Sequence, residues 1–284
     1  LVHRWQHRWP NDTDALLEWN NQPAPIYARR NTLRATAEEL EAQWSQEKVS
    51  FTPCNLPWLS HGLMYRIEAD GSPAALASFA EGRFYIQDPS TLASVQELDP
   101  RPGENILDLC AAPGGKTTAI AQRMQDDGAV LAIDIDESRL DRLRENAERL
   151  GITCIQPKAL AQIDLKNSGP FDRILIDAPC SNTGVMRRRV DVRWRLNARE
   201  LPALARAQLD LLKRAAPLLK RGGVLVYSTC SIEPEENEEV IAAFLHKHRD
   251  FRQENCRTLT PMKDETDGAF ISRLRLPETE AAED

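Results

Sequence analysis

The sequence predicts an α/β protein, a doubly wound parallel sheet preceded by a small α+β module. Three observations carry this. From Gly103 onward, short apolar runs alternate with amphipathic stretches, as strands joined through crossover helices do. The runs are continuous, as in Ile174-Leu175-Ile176, so these strands are buried on both faces. One run ends in a Gly-rich turn that opens a helix, and an acid closes the next strand.

The elements follow in order. Residues 1–20 read as a helix with Trp5, Trp9, Leu16, Leu17 and Trp19 as apolar positions, ended by the breaker cluster Asn20 to Pro25. Ile26–Asn31 is a strand, and Thr36 with Glu39 forms a capping box that opens a helix to Gln46. Between Val49 and Phe84, Pro, Gly and Ser separate two short strands, Leu63–Ile67 and Gly82–Ile86. Residues 1–80 are expected to form the small module and 81–276 the main domain. Within the latter, strands are expected at Asn105–Leu109, Val130–Asp134, Thr153–Gln156, Arg173–Asp177 and Val224–Ser228. Helices are expected at Thr117–Met124, Glu137–Leu150, Glu200–Leu219 and Glu236–His246. The acidic tail 277–284 offers nothing to bury and is expected to be disordered.

Composition narrows the function. The 284 residues, 42% hydrophobic, hold enough apolar side chains for a sizeable core. No apolar run approaches the roughly 20 residues of a membrane span, so no membrane partner is expected. The start, Leu1-Val2-His3-Arg4-Trp5, lacks a signal-peptide core and an initiator Met, so the numbering can begin inside a longer product. Six cysteines lie far apart with no C-x-x-C pair, which excludes a zinc ribbon or thioredoxin motif and suits a reducing, cytoplasmic compartment. His246-x-His248 reads as a solvated helix end, and no metal is expected. The 36 basic against 43 acidic residues, net −7, argue at face value against a nucleic-acid partner.

The sharpest local signal is Asp108-Leu109-Cys110-Ala111-Ala112-Pro113-Gly114-Gly115-Lys116-Thr117-Thr118. Its position, after a strand and opening a helix, offers backbone N–H groups and a helix N-terminus to a ligand. The G-x-x-x-x-G-K spacing of a P-loop fails, and so does G-x-G-x-x-G. Asp134 ends the next strand 19 residues after Gly115, a distance suited to ribose hydroxyls. The ligand is therefore nucleotide-like, either NAD or S-adenosylmethionine.

Two further strands share one plan. Ile174-Leu175-Ile176-Asp177-Ala178-Pro179-Cys180-Ser181 and Val224-Leu225-Val226-Tyr227-Ser228-Thr229-Cys230-Ser231 each deliver a cysteine at the carboxyl end, which faces the ligand crevice in such a sheet. Cytosine C5 is a poor nucleophile until a thiolate adds at C6. After methyl transfer the thiol must be expelled, so a second group is needed. Asp177 is placed to hold the cytosine N3/N4 edge. Buried cysteine as a small hydrophobe is the plainer reading of either residue alone.

On these motifs, with Gln87-Asp88-Pro89-Ser90, Pro234-Glu235-Glu236-Asn237 and Asp267-Gly268-Ala269-Phe270, the chain resembles the RNA cytosine-C5 methyltransferases of the Nol1/Nop2/Sun type, closest to the bacterial Sun/Fmu enzymes of small-subunit ribosomal RNA. The resemblance spans about Asn20 to Leu276. It implies a Rossmann-like methyltransferase sheet, S-adenosylmethionine as donor, RNA as substrate and an RNA-recognition-like N-terminal module. It makes Cys230 the nucleophile and Cys180 the helper in product release. It puts Cys110 to Lys116 around the methionine end of the donor, Asp134 on the ribose, and Asp177 with Lys116 at the base pocket. The family's Gly-Asp after the third strand reads Lys158-Ala159-Leu160 here, and Asp164 is the substitute at the adenine. Val190 stands where a Pro is usual, and Asn182 where a small residue is. A monomer is expected. Another RNA such as tRNA, or a silent RNA-binding assembly factor, are the alternatives.

RNA is expected on Met186-Arg187-Arg188-Arg189-Val190-Asp191-Val192-Arg193-Trp194-Arg195 with Arg199, where arginines meet phosphates and Trp194 stacks on a base or packs below the loop. His3, Arg4, His7, Arg8, Arg29, Arg30 and Arg34 offer a second basic region. The acids of Glu233–Glu239 and 278–284 number nine. Without them 36 basic residues face 34 acidic ones, so net charge does not exclude RNA.

Overall fold

The computed structural model describes residues 1–278. The expected N-terminal helix is two helices, α1 (Val2–Arg8) and α2 (Thr13–Asn21). Pro10 explains the break: it disfavours helical geometry at the preceding residue, and Trp9 leaves the helix at φ −134°, ψ 69°. Strands β1 (Ile26–Arg30), β2 (Ser50–Pro53), β3 (Met64–Glu68) and β4 (Phe84–Ile86) form an antiparallel sheet in the order β2-β3-β1-β4. Its fourth strand lies beyond residue 80. Helix α3 (Ala37–Gln46) starts on the Thr36–Glu39 capping box and buries Leu40 and Trp44 against the sheet. The Trp44 ring meets Tyr65 and Phe84 edge-on at 5.2 and 5.5 Å. A short helix, α4 (Ala77–Ala80), leads into β4.

The larger sheet uses α5 (Ser90–Leu98), β5 (Asn105–Leu109), α6 (Gly115–Arg123), β6 (Ala129–Asp134), α7 (Glu137–Leu150), β7 (Ile155–Ala159), β8 (Phe171–Asp177), α8 (Val192–Arg195), α9 (Leu201–Ala215), β9 (Leu219–Thr229), α10 (Glu238–Lys247), β10 (Arg252–Leu259), α11 (Pro261–Asp264) and β11 (Ala269–Arg275). The strand order is β10-β11-β9-β8-β5-β6-β7. Five strands are parallel as expected; β11 runs antiparallel to β9, and β10 to β11. The expected parallel sheet is extended on one side by an antiparallel pair. Polar β10 (Arg-Gln-Glu-Asn-Cys-Arg) shows no apolar pattern because it is the edge. Buried β11 lies between it and β9.

The chain leaves β5, builds β6 and β7 on one side, then returns to place β8 and β9 on the other. The topological switch therefore falls between β5 and β8, where open sheets of this kind take ligands. Helices α1 and α2 bury Trp5 and Leu16 against Met186, Val192 and Ile232, beside that edge. The expected acidic tail lies, from residue 279, outside the described residues. No described helix is long and apolar enough to cross a membrane.

Candidate active site

The Gly-rich turn is bent by left-handed residues. Cys110 has φ +64°, unusual for a residue with a Cβ, and Gly114 has φ +103°. A Cβ on Gly114 would stand 3.0 Å from Leu143 on α7. Asp108 is fully buried; Thr117 Oγ1 donates to Oδ2 at 2.7 Å, while Oδ1 has no partner among the described residues. Burial pushes this carboxyl up to about 7. Asp134 is buried too, its carboxylate accepting from the Ala112 N–H at 3.1 Å and the Asp136 N–H at 3.2 Å. Cys110 and Asp134 border a cavity of about 400 Å³ with apolar walls that include Leu109, Ile133, Leu160 and Leu165. Ala111, Ala112 and Pro113 continue the turn, Ala111 and Ala112 buried and none of the three lining the cavity. Asp164 stands elsewhere: it is exposed, does not line the cavity, and caps the turn Leu165–Asn167 by accepting from the Lys166 N–H.

The parallel pairing of β8 with β9 sets Asp177 opposite Ser228. The chain then carries Cys180 and Cys230 to within 3.4 Å of each other, Sγ to Sγ. Pairing with Cys230 and then burial push the Cys180 thiol well above its usual range. Cys230 Sγ donates to Asn182 Oδ1 at 3.2 Å, and Asn182 Nδ2 donates to the Cys180 carbonyl at 2.8 Å. Asn182 tolerates the φ of +61° that this needs. Asp177 is ion-paired with Lys116 from the Gly-rich turn and accepts from Ser228 Oγ at 3.1 Å. Thus Lys116, Asp177, Cys180 and Cys230 converge at the switch point.

One participant escaped the sequence reading. Glu236 was counted with an acidic run, yet it is buried beneath both cysteine loops and accepts from Ser181 and Ser231. Its place in Pro234-Glu235-Glu236-Asn237 was the available signal. Asn237 joins the same loop, accepting from Thr229 Oγ1 at 2.6 Å and donating to the Ser231 carbonyl at 2.9 Å.

The basic loop is not the open arginine surface expected. Arg187 is buried, donating from Nε to Asp267 at 2.8 Å, with its guanidinium 3.9 Å from the centre of the Trp19 ring. Arg188 pairs with Asp267 at 2.5 Å and Asp88 at 2.9 Å. Arg193 donates to the Asn20 carbonyl and Asn21 Oδ1. For Arg187 and Arg188 the reason is compensation: Asp88 and Asp267 are buried and draw these two cations toward them. Arg189, Arg195, Arg199 and Trp194 remain exposed, Trp194 at 88%. It does not pack below the loop. In the second basic region His3, His7 and Arg34 are exposed, while Arg4, Arg29 and Arg30 are engaged within the protein. Arg4 holds Glu233, Arg30 holds the Gly62 and Ala35 carbonyls, and Arg29 is buried against Gly115 and Thr118 of α6.

Comparison with known proteins places this geometry. A family model described as 16S rRNA methyltransferase RsmB/F matches residues 95–281, and one described as a Methyltr_RsmF/B-like, ferredoxin-like domain matches residues 1–64. The ribosomal RNA small subunit methyltransferase B of Serratia proteamaculans is 38% identical over 283 residues, covering 96% of this chain and 65% of that protein. That of Escherichia fergusonii is 37% identical over 285 residues, with the same shares. The chain thus spans 65% of the length of these curated relatives. Among solved structures, a methyltransferase homologue protein from Pyrococcus horikoshii superposes with a TM-score of 0.82 at 31% identity, covering 96% of this chain and 93% of that one. NSun6 from Pyrococcus horikoshii, solved with SFG, shares the fold at a TM-score of 0.84 and 23% identity, covering 98% of each chain.

Proposed function

The chain belongs to the RsmB/F family of 16S ribosomal RNA methyltransferases, and from that premise we propose that it transfers a methyl group from S-adenosylmethionine to C5 of a cytosine in RNA, ribosomal RNA above all, through a covalent cysteine adduct at C6. The observation that carries this reading is the thiol pair, 3.4 Å apart at adjacent strand ends beside the Lys116–Asp177 ion pair. Methyl transfer to a nitrogen or oxygen needs no such pair.

The residues fit the donor. An apolar-walled cavity bordered by a fixed carboxylate suits a nucleoside, and Asp108 Oδ1, beside the turn, is a buried acceptor without a partner among the described residues. Asp134 would hold the ribose, the Cys110–Lys116 turn the methionine end, and Leu160 and Leu165 the adenine, a task for which exposed Asp164 is poorly placed. Bound there, S-adenosylmethionine supplies a methyl group activated on a sulfonium.

The chain's own groups do the rest. Asp177, held by Lys116 and Ser228, accepts from the cytosine edge and orients the ring. Cys230 Sγ adds to C6 as its proton passes to N3 of the ring that Asp177 holds, and the resulting enamine makes C5 nucleophilic toward the methyl. The Cys180 sulfur takes up the C5 proton as its own proton passes to Cys230; the C5–H bonding pair re-forms the C5=C6 bond, the S–C6 bond breaks and Cys230 departs as a thiol, the N3 proton going to solvent. Cys180 is held as a thiol and so donates its proton to the departing sulfur rather than attacking. The exposed Arg189, Arg195, Arg199 and Trp194 face the RNA strand, and the target base must be unstacked, at a cost of a few kcal/mol.

Cys230→Ala should abolish methylation while leaving donor binding intact, and undiminished turnover would sink the assignment. Cys180→Ala should accumulate an RNA–protein adduct visible as a mass shift. Bisulfite sequencing of cellular RNA with and without the gene identifies the site.

A further inference from the structure

Glu236 is fully buried, and no lysine, arginine or histidine among the described residues pairs with it. Four donors satisfy it instead. The Ser181 backbone N–H donates at 2.8 Å, the Gln208 amide at 3.0 Å and the Ser231 hydroxyl at 2.5 Å, and the Ser181 hydroxyl is the fourth. Ser181 directly follows Cys180, and Ser231 directly follows Cys230. The residue is itself anchored, because its carbonyl accepts from the Tyr227 hydroxyl on β9 at 2.6 Å. Gln208, on α9, also donates to the Pro179 carbonyl at 2.9 Å.

An uncompensated carboxylate is costly in such a place, and an apolar residue would fill the space more cheaply. A carboxylate accepts only, at about four lone-pair sites, so it can bind donors from both loops at once and fix the direction of each hydroxyl. We propose that Glu236 is a positioning residue that clamps the loops carrying Cys180 and Cys230 together at their reactive separation. This rests on the reading that the two thiols serve one methyl-transfer reaction. The clamp has an electrostatic side. Cys180 is faced by Cys230, by Tyr227 on β9, which Asp177 also faces, by Glu236 beneath, and by Arg195 and Glu200 across a cavity of about 270 Å³. Negative charge on Glu236 helps keep the proton on Cys180, after the larger effects of Cys230 and burial.

The test is Glu236→Gln, which keeps the size, removes the charge and turns one acceptor into a donor. Methyl transfer should fall about 10²-fold in kcat, as for a misplaced reacting group. KM for RNA and for S-adenosylmethionine should stay within about twofold. Alkylation of Cys180 by iodoacetamide, mapped by mass spectrometry, should begin at lower pH. Glu236→Asp keeps the charge but not the reach, so it should restore the alkylation profile and not kcat. Should Glu236→Gln fail to fold, the double variant Ser181→Ala/Ser231→Ala removes both hydroxyl clamps and should lower kcat alike. Wild-type kcat in a folded Glu236→Gln protein, or in the double variant, overturns the proposal. So does a fall in kcat accompanied by a large rise in KM and an unchanged alkylation profile. Alkylation needs no RNA, so if the wild-type protein methylates no RNA, the methyl-transfer reading fails while the Glu236→Gln profile still decides the clamp's electrostatic effect on Cys180.

Discussion

Removing Arg187 should unfold the protein more readily, and not merely loosen RNA. Its side chain is 2% exposed and that of its partner Asp267 1%. Truncation to Ala leaves Asp267 with Arg188 as its remaining cation, and Arg188 is shared with Asp88. It also deletes the guanidinium packed on Trp19. Breaking a buried pair from one side costs about 3–5 kcal/mol, a large part of the roughly 5–15 kcal/mol that holds a domain folded. With a urea slope of about 3 kcal/mol per molar, the midpoint should fall by about 1–1.7 M. Tryptophan fluorescence would follow it. The loss should also carry a pH signature. Burial and the Asp88 charge raise the Asp267 carboxyl, while Arg188 and Arg187 pull it down. Without Arg187 it rises further. A carboxyl raised in the folded state loses stability as pH climbs through its folded value. The gap between variant and wild type should therefore widen as pH rises through the raised carboxyl and narrow as pH falls below it. An Arg187→Ala protein with the wild-type urea midpoint and weaker RNA binding would refute this reasoning and restore the open arginine surface.

Two other outcomes follow from the same contacts. Asp108 is raised to about 7 by burial, so the stability carried by its neutral form is full below its unfolded value near 4 and is lost as pH rises through about 7. Wild-type protein should thus lose more urea resistance between pH 5 and pH 8 than Asp108→Asn, and equal losses would contradict the shift. On the outer face, Arg195→Ala should leave stability within about 0.5 kcal/mol and lower the slope of log affinity for RNA against log salt by about one. Trp194→Ala should weaken RNA binding without moving the urea midpoint, and unchanged affinity in both variants would remove this face from the RNA site.

The sequence showed most clearly those parts whose local pattern and tertiary role agree. Strands β5, β6 and β8 are continuous apolar runs because both faces are covered, and α7 carries Leu140, Leu143, Ala147 and Leu150 on one side. The cysteine pair was legible because two strands repeat one plan, and parallel pairing turns that repetition into proximity. Other elements were not, and three of them show why. Helix α5 spans nine residues and buries Ser90 and Ser94, so its apolar stripe is interrupted. Strand β2 is a four-residue edge that ends in Pro53. Strand β10 is polar throughout its exposed part and gains its identity only from β11 beside it. The inward turn of Arg187 was hidden for a different reason. Its partners Asp88 and Asp267 lie 99 and 80 residues away in the chain, and a charge run reads the same whether its members face water or each other.

That last point bears on what net charge can say about a partner. Glu233 and Glu236 count as two of the 43 acids, yet both are buried, one against Arg4 and Trp5, the other beneath the thiols. Arg29 and Arg187 count as two of the 36 bases and are equally withdrawn from solvent. An approaching phosphate responds to charges within about one Debye length, ~8 Å at physiological salt. The relevant sum is therefore local and restricted to exposed groups. Beside the Cys180 loop these include Arg189, Arg195 and Arg199, with Asp191 and Glu200 among them. Of the acids in the −7 balance, two are spent inside, where Glu236 accepts from both cysteine loops and Glu233 holds α1. Acidity of the whole and affinity for RNA at one face are compatible here because part of the acidity is structural.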